Sequence, residues 1–263
     1  MKIRDAILAF FGVMAFCPAV CADDVLRVVC FEYPPNLVAD RLGAVPGSPK
    51  GAIARVWEDY IAPKAGVKIQ WIGPVPFSRA MKMLEDGQAD AIQHLSRTSE
   101  REAKFIFSRK PIMWGRSGIL VLKSEPLNAV TDVSQLEEKK IVIIGNGYIP
   151  PFMVKNRNRL LIEEVYGDKA GVSVMRMVVN RRVWGGYFTF PEVLLWYAAL
   201  EQRQGELKVI SYPGSDVMEV TYAAMSRSTD QTLVRRIDAA ISDVYGRYDY
   251  PSLVKDVLRQ INR

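Results

Sequence analysis

From Leu26 onward, short β-like runs alternate with stretches of helical period. Leu26–Cys30 (LRVVC) and Val67–Ile72 (VKIQWI) read as strands. Between them Ile53, Val56, Trp57, Tyr60 and Ile61 share one face of a helix. Phe77, Ala80, Met81 and Leu84 repeat that spacing, Gly87 ends it, and Ala89–Gln93 is the next strand. A βαβαβ opening of this kind demands a largely parallel, helix-covered sheet, and so an α/β class.

A second set follows. Gly118–Leu122 and Lys140–Ile144 are strands, a helix is predicted over Pro151–Val165, and Val172–Met177 is predicted as a strand. Val193–Leu200 lies within a helix, and Val220–Met225 reads as a returning strand. Ser228-Thr229-Asp230-Gln231 has the form of a capping box opening a helix whose apolar face is Leu233, Ile237, Ala240, Ile241 and Val244. A last helix starts after Pro251.

The start of the chain reads as an address. Lys2 and Arg4 precede an uncharged run, Ala6–Cys17, and Val20-Cys21-Ala22 then places a small residue before Asp23. This predicts a secretory signal peptide cut after Ala22 and a periplasmic protein. The run is too short for a membrane span, which needs about 20 residues. Removing it takes away Lys2, Arg4 and Asp5, leaving 33 basic against 28 acidic residues. That mild excess, scattered along the chain, does not suggest nucleic acid; it suits solubility and some attraction for anionic ligands. Of 3 cysteines Cys30 alone remains, so no disulfide within the chain is expected, and a buried strand position is its simplest reading. One histidine, His94, leaves little from which to build a zinc site or a hydrolytic triad, and neither metal nor cofactor is expected.

Four stretches carry a resemblance to a known family. Glu32-Tyr33-Pro34-Pro35 follows the first strand, and Gly87-Gln88-Ala89-Asp90-Ala91 follows the second helix. Ser96-Arg97-Thr98-Ser99-Glu100-Arg101 runs on to Phe107-Ser108 and Pro111, and Tyr245-Gly246-Arg247-Tyr248 precedes the last helix. With these the chain resembles the family 3 extracellular solute-binding proteins, the periplasmic receptors of polar amino-acid importers. The resemblance implies a type II periplasmic-binding-protein fold: two α/β lobes joined by two crossover hinge strands, with the ligand clamped between them. The expected lobes are 23–117 with 225–263, and 118–224. The implied partners are a small anionic or zwitterionic solute and an inner-membrane ABC permease, with the receptor itself a monomer.

The resemblance also implies site residues. Arg101 would hold a ligand carboxylate, since a guanidinium offers a planar two-donor fork to that group. Ser96 would add a hydroxyl or main-chain contact. Tyr33 and Phe77 would supply aromatic faces, though Phe77 also begins the apolar stripe of its helix. In the second lobe Gly145-Asn146-Gly147-Tyr148 joins a strand to a helix, where backbone N–H groups, that of Gly147 above all, could face an anion. Arg182–Glu192 departs from the family pattern: Trp184 stands where an aspartate is usual, and Thr189-Phe190 stands near the expected ammonium contact. Glu192 is the acidic candidate of this segment, two or three positions late. Trp184, Tyr187, Phe188 and Phe190 could line a pocket or pack the lobe. The carboxylate end of an amino-acid site therefore looks retained and the amino end altered. Two alternatives share this scaffold: a periplasmic enzyme similar to the cyclohexadienyl dehydratases, with Glu192 as its acid, and a sensory ligand-binding module.

Overall fold

A computed structural model describes residues 24–38, 49–167 and 169–261. The expected signal peptide and its cleavage site lie outside them.

Two mixed sheets divide the fold. The first is ordered β2-β1-β3-β11-β4, with β5 also on β11. It contains β1 (Asp24–Val29), β2 (Val67–Ile72), β3 (Ala91–Leu95), β4 (Phe105–Phe107) and β5 (Met113–Gly115). The second is ordered β10-β6-β9-β7-β8. It contains β6 (Gly118–Leu122), β7 (Lys140–Ile144), β8 (Leu161–Val165), β9 (Gly185–Phe188) and β10 (Leu207–Ile210). β11 (Glu219–Ser226) then returns to the first sheet, antiparallel to β3, β4 and β5. The chain thus crosses between sheets twice, at Gly115–Gly118 and between Ile210 and Glu219, and this is the two-lobed type II architecture. The return falls before Glu219 rather than at residue 225, because all of β11 pairs within the first sheet.

The parallel pairs are those joined by helices: β1 with β2 and β3, and β7 with β8 and β9. A helical run made of α1 (Ala52–Arg55), a π-helical stretch (Val56–Ile61) and α2 (Ala62–Ala65) connects β1 to β2. It buries Ile53, Val56, Trp57 and Ile61 against the first sheet. α3 (Phe77–Glu85) leads to β3, and α4 (Ser99–Lys104) follows it.

The second lobe departs from the sequence reading in two places. The helix predicted over Pro151–Val165 stops early: α5 covers Pro151–Lys155, Arg157–Arg159 makes one 3₁₀ turn, and β8 follows. β8 is an edge strand with two of its five residues exposed and none buried, so its LIEEV pattern carries too little apolar alternation to announce itself. Conversely, Val172–Met177 is no strand but the middle of α6 (Ala170–Val179). Its β-branched residues imitate a strand, yet the buried set Ala170, Gly171, Val174, Met175 and Val178 follows the helical period. α7 (Glu192–Leu200) packs beside α6.

α8 (Gln231–Val244) and α9 (Tyr250–Ile261) complete the first lobe. Asp230, not Ser228, caps α8, its carboxylate accepting from the N–H groups of Thr232 and Leu233 at 2.9 and 3.0 Å. Cys30 is fully buried just past β1, where burial pushes its thiol up to about 12. No helix among the described residues is long and apolar enough to cross a membrane.

Candidate ligand cleft

The first lobe delivers its site residues from the carboxyl end of β3. Every residue of β3 is buried, including two polar ones, so the polar atoms need partners. Gln93 finds one by accepting from the Phe31 N–H at 3.0 Å. Past β3, Thr98 caps α4, its hydroxyl accepting from the Arg101 N–H at 3.3 Å. That cap fixes the short helix so that the Arg101 side chain folds back toward the end of the sheet.

Arg101 is 9% exposed. Its guanidinium donates to the main-chain carbonyl of Ser96 and, across the lobes, to that of Asn146, each at 3.0 Å. Its carbon lies 5.7 Å from the centre of the Phe77 ring. Among the described residues no carboxylate pairs with it. Burial without an anion lowers its pKa, only partly offset by Glu100. A desolvated fork with donors to spare is a ready receptor for a carboxylate or similar anion.

A cavity of about 390 Å³ opens beside it. Ser96, Tyr33, Phe77, Gly147, Tyr148 and Thr189 all line it with Arg101, so seven of the eight expected site residues meet at one place. Ser96 contributes through its carbonyl on Arg101. Tyr33 lies 5.4 Å, centre to centre, from Phe188 of the second lobe and 6.4 Å from Phe190. Both of those rings are buried and line the cavity with Tyr187. Trp184 does not: its indole N–H donates to Glu125 at 2.7 Å, around a separate surface hollow.

Two expectations need correction. Gly147 lines the cavity, but its N–H donates to Ile144 at 3.0 Å and is unavailable to an anion. The helix that follows is short and opens with Pro150 and Pro151, which have no N–H to offer. Glu192, the eighth residue, is not part of the lining. It stands in the first turn of α7, where a Cβ on Gly115 would meet the Phe190 ring at 2.7 Å and the Glu192 carboxylate at 3.9 Å. Burial pushes Glu192 up to about 7, and its charge acts on the lining residue Tyr33. The acidic residue that does line the cavity, Glu32, is solvent-exposed.

Two lining residues carry more than the sequence suggests. His94 is 5% exposed, and its Nε2 has no hydrogen-bond partner. Burial, then the neighbouring Arg101 charge, pull its pKa down to about 3, so the imidazole is neutral. Thr221 is 1% exposed and its hydroxyl is also unpartnered. The sequence puts His94 near the cleft but gives no sign of its missing partner, and Thr221 reads simply as part of a strand. Among the described residues no cluster of His, Cys, Asp and Glu could hold a metal ion.

Comparison with known proteins agrees with the two-lobed fold. An ancestral arginine-binding protein bound to glutamine superposes with a TM-score of 0.69 at 20% identity, over 88% of this chain and 96% of that one. An amino acid ABC transporter substrate-binding protein from Streptococcus pneumoniae, bound to L-arginine, gives 0.70 at 17% identity over 90% and 95%. The BvgS periplasmic domain of B. pertussis gives 0.70 at 17% identity, over 90% of this chain and 42% of that one. At such identities the likeness is one of fold. No curated protein matches the sequence significantly. The profile of the bacterial extracellular solute-binding proteins, family 3, matches residues 31–256, and the chain belongs to that family.

Proposed function

We propose that this protein is a periplasmic solute receptor that clamps a small carboxylate-bearing solute between its lobes and delivers it to an inner-membrane ABC permease. The observation that carries the reading is Arg101: a buried guanidinium, unpaired by any described carboxylate, that faces an interlobe cavity and already touches the second lobe. An anion there removes the cost of a buried unpaired charge. Tyr33, Phe77, Phe188 and Phe190 supply apolar faces for the rest of the solute.

The amino end of an ordinary amino acid is poorly served. Thr189 and Phe190 stand where an acid would be expected, and Glu192 lies outside the lining. Drying an ammonium without a carboxylate partner is costly. The solute is therefore a small organic acid, or an amino-acid derivative with a neutral or blocked amine. Glu192 is also the acid on which a dehydratase-like reaction would depend, and its absence from the cavity lining favours binding over turnover. A sensory role is the second reading, favoured by the likeness to the BvgS periplasmic domain and to a histidine kinase sensor domain. Calorimetry with free amino acids and their deaminated analogues tests the solute class. Tight binding of unmodified amino acids would overturn it. Uptake of the bound solute in cells carrying or lacking the chain separates import from sensing.

A further inference from the structure

Five buried side-chain atoms among the described residues have no hydrogen-bond partner, and three of the five belong to residues lining the cavity: His94, Tyr187 and Thr221. Leaving such atoms unpaired costs free energy, and where their residues line a ligand space a ligand can supply the partner. The Tyr187 hydroxyl has Thr189 and Tyr212 beside it. The imidazole Nε2 of His94 and the hydroxyl of Thr221 have no hydrogen-bond partner among the described residues.

These two residues stand on adjoining strands. The pairing of Tyr222 with Leu95 brings β11 alongside the end of β3. The register shifts between Tyr222 and Ala224, an irregularity opposite Gln93 and His94, and both His94 and Thr221 line the cavity there. Arg101, in the same cavity wall, is seven residues beyond His94. A neutral imidazole has one donor and one acceptor nitrogen, and a threonine hydroxyl can do either. Neither offers the negative charge that an ammonium needs. Together they suit an uncharged oxygen, a hydroxyl that donates and accepts or a carbonyl that accepts.

We propose that His94 and Thr221 form a second recognition point for a neutral oxygen on the solute, making the preferred ligand a hydroxy- or oxo-carboxylate. The inference rests on the reading of Arg101 as the carboxylate anchor. A neutral oxygen is cheaper to dry than an ammonium, and here it would meet two groups that lack partners.

The test is calorimetric titration of the whole mature protein with hexanoate, 2- and 3-hydroxyhexanoate, 2-oxohexanoate and norleucine, alongside 3-phenylpropanoate, phenyllactate and phenylpyruvate. In each set at least one oxygen-bearing acid is expected to bind about tenfold or more tighter than its unsubstituted parent, the scale of one hydrogen bond lost at a buried site. In the Thr221→Val and His94→Ala variants, each shown to be folded by its thermal melt, the ratio of the two affinities should fall toward one. Should either variant fail to fold, the ratios in the wild-type protein still decide. Equal binding of oxygenated and unsubstituted acids, or a preference that survives both substitutions, overturns this inference and leaves Arg101 as the anchor. If none of the acids binds, the carboxylate reading fails and this inference fails with it.

Discussion

The Arg101 guanidinium, anchored on the first lobe, donates to the carbonyl of Asn146 in the second lobe at 3.0 Å. One side chain thus spans the cleft while keeping donors free. Lobe closure and anion capture share a residue, so a ligand on Arg101 also bears on how the lobes meet.

Replacing Arg101 with Ala should weaken carboxylate binding by about 2–5 kcal/mol, the usual loss when a buried charge pair is cut. Arg101→Lys should recover part of this, since the charge stays but the planar fork goes. Arg101→Met separates binding from folding. It removes a buried unpaired charge, so the empty protein should melt no lower than the wild type, while the ligand-induced rise in Tm disappears. A melt that falls steeply instead would make Arg101 a structural residue.

Glu192 gives stability a dependence on pH. Burial lifts its pKa from 4.5 to about 7, so the native state favours the neutral acid. The cost of ionising it is absent below about 4.5, grows as pH rises and is complete above about 7. Glu192→Gln should therefore stabilise the protein by on the order of 1–3 kcal/mol at alkaline pH, and by almost nothing in acid. Urea unfolding of both proteins across that range measures the difference.

His94 acts in the opposite sense. Its pKa falls from 6.5 to about 3 on folding, so the unfolded chain takes up a proton that the native state refuses. Its contribution to stability is intact above 6.5 and is lost as pH falls toward 3. His94→Gln should flatten the acid limb of the unfolding profile. An unchanged limb would mean that the native imidazole is charged.

Gly186 tests the packing behind the cleft. A Cβ there would come within 2.5 Å of Val174 and 3.3 Å of Val178, branched side chains with little room to move. Gly186→Ala should cost about 1–3 kcal/mol by overpacking, read as a drop in Tm. Gly205→Ala, where an added Cβ meets nothing within 4 Å, is the control and should change little.

The alternation of apolar runs and helical stripes determined the α/β class, because burying each stripe requires a sheet and each parallel pair a crossover. The family motif around Arg101 was legible too. Periodicity failed where local pattern and burial diverge: Val172–Met177 has the composition of a strand but sits between a sheet and α7, and there the helical period wins. β8 escaped notice because an edge strand needs few apolar residues. The site divided in the same way. Residue types mark Arg101, Tyr33 and Phe77, but only the tertiary structure decided that Gly147 spends its N–H on Ile144, that Phe190 and not Glu192 lines the cavity, and that His94 and Thr221 lack partners. Hydrogen-bond satisfaction and burial depend on neighbours distant along the chain, and the folded sheets alone bring those neighbours together.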